Sequence, residues 1–111
     1  MPQYVCMVQE GQVADRSRDR LAAGLRRLAA ETFGDLPDEV EIRWITIAPG
    51  FGFTAGKPST SSLIVRSVPP GFDDGERARF MTGVTELWRA VTDCQPDEVV
   101  VTTLDGPLPL L

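Results

Sequence analysis

The sequence has no histidine, a single lysine (Lys57) and only two cysteines among 111 residues. Without histidine, a Ser-His-Asp triad and a His-ligated metal site are excluded, so acid–base chemistry near neutral pH must use another group. Cys6 and Cys94 lie far apart with no C-x-x-C spacing, and read as small apolar fillers of a reducing compartment. Basic residues are also scarce, eleven against sixteen acidic for a net charge of −5, which makes nucleic acid an unexpected partner. No apolar run approaches the roughly 18 residues that a membrane span needs, and the first twenty residues hold no apolar leader segment. The expectation is a cytoplasmic, soluble protein without membrane, metal or cofactor. Gly56-Lys57 does not make a phosphate loop, because Phe51 stands where its first glycine is needed and Pro58 replaces the hydroxyl residue.

What is present is an ordinary globular composition, 42% hydrophobic and 24% charged, fitting one domain. A chain of this size buries about 65% of its unfolded surface, so oligomerisation would add useful burial. Tyr4 to Val8 is a short β-rich run closed by Glu10-Gly11, and reads as a strand. From Asp15 to Phe33, Leu21, Leu25, Leu28 and Ala29 recur at helical spacing, with Arg16, Arg18, Arg20, Arg26 and Arg27 on a solvated face. Gly34 and Pro37 end that helix. Val40 to Ile47 is a second strand, and residues 50 to 62 form a Gly/Ser/Thr loop with the composition of a hairpin.

The order then repeats. Leu63 to Val68 is a strand; a helix opens at Asp73 with Glu76 as its capping-box partner and shows Phe80, Val84, Leu87, Trp88 and Val91 on one face. A last strand runs from Pro96 to Leu104, before the apolar tail Pro107 to Leu111, which is expected to dock on a neighbouring subunit. Pro37-Asp38-Glu39-Val40 recurs as Pro96-Asp97-Glu98-Val99, a shift of 96 − 37 = 59 residues, and the same shift carries Tyr4 onto Leu63. The chain is therefore expected to be α+β: two tandem β-α-β units, about 1–48 and 60–105, joined by loop 49–62. They would form a four-stranded mixed sheet with two helices on one face. The bare face argues for packing against further copies.

With histidine absent, the second residue becomes informative. Removal of the initiator methionine would leave Pro2 with a free secondary amine at the start of a strand. An α-amino group titrates near 7.7–8.0, roughly, and an apolar pocket disfavours its charged form, giving a general base suited to moving a proton α to a carbonyl. Alternatively Pro2 is only a tolerated second residue. Phe51 and Phe53 either wall the pocket that keeps such an amine neutral or belong to a hairpin core; Tyr4 and Trp44 have the same two readings.

Met1-Pro2, Glu10-Gly11 at the first strand end, Phe51-Gly52 in the loop and two β-α-β halves in this order resemble the tautomerase superfamily. That group includes 4-oxalocrotonate tautomerase, malonate semialdehyde decarboxylase and macrophage migration inhibitory factor. The resemblance spans nearly the whole chain, and Ser61-Ser62 with Pro96 to Val99 match pieces of the decarboxylase. It implies that Pro2 is the catalytic acid/base and that Arg43 polarises the carbonyl or carboxylate of a small enolisable substrate in a cofactor-free homotrimer. The matching position could instead be Glu41, since the strand aligns in two ways; Glu41 and Arg43 point to the same face either way. The other reading of Arg43 is a salt bridge to Glu41 or across subunits. Arg66 is either structural or adds positive field to the same cavity.

The chain departs from the family pattern at two places. Gln12 stands where short tautomerases have a carboxylate-binding arginine, and Pro69-Pro70-Gly71-Phe72 stands where the decarboxylase and dehalogenase have paired arginines. The implied activity is keto–enol tautomerisation. The alternatives are a decarboxylase or hydratase in which a cationic Pro2 acts as acid, and a non-catalytic trimeric interaction module.

Overall fold

The computed structural model describes residues 2–108. Strand β1 (Tyr4–Gln9), helix α1 (Asp15–Phe33) and strand β2 (Ile42–Ile47) make the first unit; β5 (Ser62–Val68), α2 (Asp74–Thr92) and β6 (Val99–Asp105) make the second. Between them β3 (Phe53–Thr54) and β4 (Lys57–Pro58) form a separate antiparallel hairpin. Ala55 and Gly56, both at positive φ, supply the tight turn that the loop composition suggested.

Both helices begin and end where local chemistry dictates. Gly34 takes the left-handed conformation after α1, with φ 72°. The Asp73 side chain accepts from the Glu76 backbone N–H at 2.8 Å, and the Glu76 carboxylate faces back to Asp73 N, so α2 opens with the expected capping box. Two strand starts differ from the sequence reading. Pro37–Glu39 and Pro96–Glu98 are each one turn of 3-10 helix, so β2 begins at Ile42 and β6 at Val99. Proline has no N–H to give a ladder but is at home in a helical first turn, and Glu98 holds that turn by accepting from Gln95 N at 2.8 Å.

The four long strands lie in the order β2-β1-β5-β6. β1 and β2 are parallel, β5 and β6 are parallel, and β1 meets β5 antiparallel, so two β-α-β units join edge to edge into one mixed sheet. Tyr4, Cys6 and Val8 of β1 and Ile64 of β5 point to the helices, where Leu21, Leu25, Phe80, Val84 and Trp88 complete the core. Val5, Met7 and Gln9, with their partners Arg43, Ile45 and Ile47, occupy the opposite face. In the tail, Leu108 is buried by its own chain rather than waiting for a neighbour; Pro109 to Leu111 lie outside the described residues. Among the described residues no helix is long and apolar enough to cross a membrane.

Candidate active site

Pro2 is buried at the head of β1. Its successor Gln3 is clamped from both sides. Gln3 N and Tyr4 N both donate to Glu41 O, at 3.0 and 3.2 Å, while Ser67 N donates to Gln3 O at 2.9 Å. The Gln3 side chain closes the clamp by accepting from Glu41 N at 2.6 Å. Two strands therefore fix where the second residue sits, and Glu41 is beside it. Gln3 was not singled out in the sequence because a polar residue before a strand carries no periodic signal.

Arg43 pairs with Val5 across β1 and β2, half-buried on the face away from the helices. Among the described residues it has no hydrogen bond or ion pair, so no Arg43–Glu41 bridge forms within the chain. At about 3.3 Å per residue, three residues separate its level on the sheet from that of Pro2 by roughly 10 Å. That span is within reach of an extended arginine and a small substrate held between them.

Arg66 is elsewhere, on the face of the sheet opposite Arg43, so of its two readings the added field in an Arg43 cavity does not hold within the chain. It pairs with Tyr4 on the helix-covered face and is 1% exposed. Its guanidinium donates to Asp35 at 2.5 Å and lies 5.0 Å from the Tyr4 ring and 4.6 Å from that of Phe33. No local pattern points to Asp35, which is 31 residues away. Tyr4 is likewise core, its hydroxyl donating to Leu25 O at 2.8 Å. Trp44 packs against Trp88 with ring centroids 5.9 Å apart. Arg18, expected on a solvated face, instead lies over Trp44 and donates to Thr46 Oγ1 at 2.8 Å.

Phe51 and Phe53 are exposed, so neither is hairpin core. Phe53 lines a cavity of about 340 Å³ with Met7 and Gln9, at the far end of β1. Seven residues of strand separate that end from Pro2, roughly 23 Å. One chain does not bring these rings to its own Pro2.

The titratable groups with shifted behaviour are also away from Pro2 or locked in the core. Burial pushes the Cys6 thiol up to about 12. Burial raises the Tyr4 phenol too, against the opposing pull of the Arg66 charge. Hydrogen bonds from Gln95 and Thr60 lower the Glu98 carboxyl. None of the three is an acid or base poised for neutral pH. Among the described residues no cluster of three or more Cys, Asp or Glu side chains could hold a metal ion.

No family model matches the chain, and no curated protein matches its sequence. Solved structures do match in fold. Native Ps01740 superimposes with a TM-score of 0.90 at 27% identity, over 96% of this chain and 95% of its own. N1, a member of the cis-3-chloroacrylic acid dehalogenase family, gives 0.87 at 18% identity, over 96% and 76%. A wild-type fused 4-OT, a symmetric trimer, gives 0.84 at 16% identity, over 96% and 86%. With its paired β-α-β units, mixed four-stranded sheet and near-complete overlap with these structures, the chain has the tautomerase-superfamily fold.

Proposed function

We propose that this protein is a cofactor-free keto–enol tautomerase of a small enolisable carbonyl compound, with the Pro2 amine as acid/base once Met1 has been removed. The observation that carries this reading is the burial of Pro2 at the head of β1, with Gln3 clamped beside it. A ring nitrogen freed there would be poorly solvated, and desolvation favours the uncharged amine that can accept a proton.

The neutral amine takes the proton from the carbon α to the carbonyl. The C–H pair becomes the C=C of the enolate, and negative charge moves to oxygen. Arg43, free of protein partners among the described residues, meets that oxygen with a charge-assisted fork. The protonated amine then returns its proton to oxygen or to another carbon, and no redox partner is needed. Phe51, exposed at the opposite end of the sheet, would close the site of an adjacent copy. A fused 4-OT with this fold is a symmetric trimer, which supports a homotrimer here.

One observation favours a second reading. Glu39 lines a cavity of about 210 Å³ with Gln3, and Glu41 is hydrogen-bonded to Gln3, so carboxylates stand at the same end of the sheet even with Asp35 already paired to Arg66. Negative charge there would favour the protonated amine, and a cationic Pro2 would act as acid in a decarboxylation or hydration.

The test compares fully processed protein with a form retaining residues before Pro2, assayed for ketonisation of the enol of phenylpyruvate. General acid–base catalysis contributes about 10²–10⁴-fold, so the blocked form should lose at least 10². Equal rates would remove Pro2 from the mechanism. A rate that rises as the amine loses its proton supports the tautomerase; one that falls supports the acid reading.

A further inference from the structure

The cavity at the far end of β1 has a composition unlike that of the proposed catalytic end. Its lining contains no charged side chain: Met7, Ile47, Leu63 and Val100 form an apolar floor beneath Phe53, and the polar groups are hydroxyls and one amide. The amide belongs to Gln9, which is 8% exposed and has no side-chain hydrogen bond among the described residues. Gly52 passes directly over it, because a Cβ built there would lie 2.9 Å from Gln9 Nε2. The Gln9 amide therefore has its hydrogen-bonding capacity free for water or a ligand in the cavity.

The internal repeat gives this location a meaning. Ser61, in the lining, lies 59 residues after Pro2 (61 − 2 = 59). The cavity is thus the second unit's counterpart of the Pro2 end, with a serine where the first unit has the proline. It cannot supply an amine, but it retains space of about 340 Å³, within the roughly 300–1,000 Å³ of ligand pockets.

We infer that this cavity is a second, non-catalytic binding site for an uncharged, planar, mostly apolar molecule carrying one hydrogen-bonding group, which is anchored by the Gln9 amide. An apolar floor with no cation or carboxylate favours a neutral ring over an anion, because nothing there compensates a desolvated charge. The amide offers both a donor and an acceptor, and so suits a hydroxyl.

The probe is 2-naphthol, neutral at pH 7, with 2-naphthoate as the charged comparison. Binding to the full chain is measured by titration calorimetry. We expect saturable 2-naphthol binding and at least tenfold weaker binding of 2-naphthoate. Gln9→Leu should weaken 2-naphthol about tenfold, the loss of roughly one hydrogen bond. Val100→Trp should abolish binding; Val100 is 51% exposed on an edge strand, so the larger ring is tolerated by the fold. Protein blocked before Pro2 should bind 2-naphthol unchanged, which separates this site from the proposed catalytic one. Absence of binding, equal binding of the anion, indifference to both substitutions, or loss of binding on blocking Pro2 would each overturn the inference.

Discussion

Gly24 of α1 lies against Leu87 of α2 so closely that a Cβ at residue 24 would sit 2.5 Å from Leu87 Cδ1. One repeat later the relation is inverted: a Cβ at Gly83 of α2 would meet Leu28 of α1 at 3.1 Å. The same 59-residue offset relates 24 to 83 and 28 to 87, so each helix supplies one notch and one leucine. The helices approach closely because two side chains are missing at their crossing.

The two glycines should therefore respond differently to alanine. Each substitution gains the same helix preference, about 1 kcal/mol. Only Gly24→Ala forces a full displacement of a packed leucine, and overpacking costs about 1–3 kcal/mol. Urea denaturation should place Gly24→Ala at least 1 kcal/mol below Gly83→Ala. Equal midpoints, or the reverse order, would mean that the helices separate freely and that the notch has no energetic role.

Stability should fall at alkaline pH. Cys6 is buried with its thiol pushed from 9.0 to about 12, and the Tyr4 phenol is pushed above its usual 10.0. A raised folded-state value means that the unfolded chain releases its protons first. The contribution of both groups is intact below pH 9 and is lost as pH rises from there. Denaturation midpoints should be level from pH 7 to 8.5 and decline above 9. Cys6→Ala should remove the part that begins at pH 9, leaving the part due to Tyr4. In the native protein a thiol reagent at pH 8 should modify Cys94, which is half-buried, and leave Cys6 until unfolding.

Arg43 separates a chemical role from a structural one. It has no protein partner among the described residues, so Arg43→Ala should leave the urea midpoint within about 0.5 kcal/mol of the parent, as expected for a partly exposed position. Loss of a charge-assisted hydrogen bond of about 2–3 kcal/mol should lower kcat/KM roughly 30- to 150-fold. Arg43→Lys should recover part of it, since lysine keeps the charge and loses the fork. A lowered midpoint with unchanged kcat/KM would make Arg43 an interface or packing residue.

The helices and the repeat are legible in the sequence because their signals are local: Gly34 after an apolar face, Asp73 three residues before Glu76, and Pro-Asp-Glu-Val twice. The fold class follows from those elements in order. The starts of β2 and β6 are less visible. An apolar run after Pro37 or Pro96 looks like strand throughout, and the helical turn shows only in backbone hydrogen bonds such as Glu39 N to Leu36 O and Glu98 N to Gln95 O, with Glu98 reinforcing the second turn at Gln95 N. At the site, Pro2 and Arg43 stand out by residue type. Gln9 could have been noticed as a polar residue ending an apolar strand. Arg66 could not be placed, because an arginine in a strand looks solvated until Asp35 is brought to it by the fold.

The Arg66–Asp35 pair supplies a further test. Arg66 is fully enclosed, while the Asp35 side chain is 27% exposed. The buried Arg66 Nη1 has no hydrogen-bond partner among the described residues, and Nε donates to Ser67 O at 2.7 Å, so the cation depends on this carboxylate, on one backbone carbonyl and on two aromatic rings. Asp35→Ala strands the charge, and breaking a buried pair in this way costs about 3–5 kcal/mol, reduced here because water can reach the vacated side. A loss of about 2–3 kcal/mol is expected by urea denaturation. Arg66→Met removes the charge and keeps an apolar stem between Tyr4 and Phe33, so it should cost less than Asp35→Ala. The double variant should cost less than the sum of the two, because the second substitution has no ion left to strand. Additive losses would show that Arg66 is held by its stacking on the rings and that Asp35 contributes nothing specific to it.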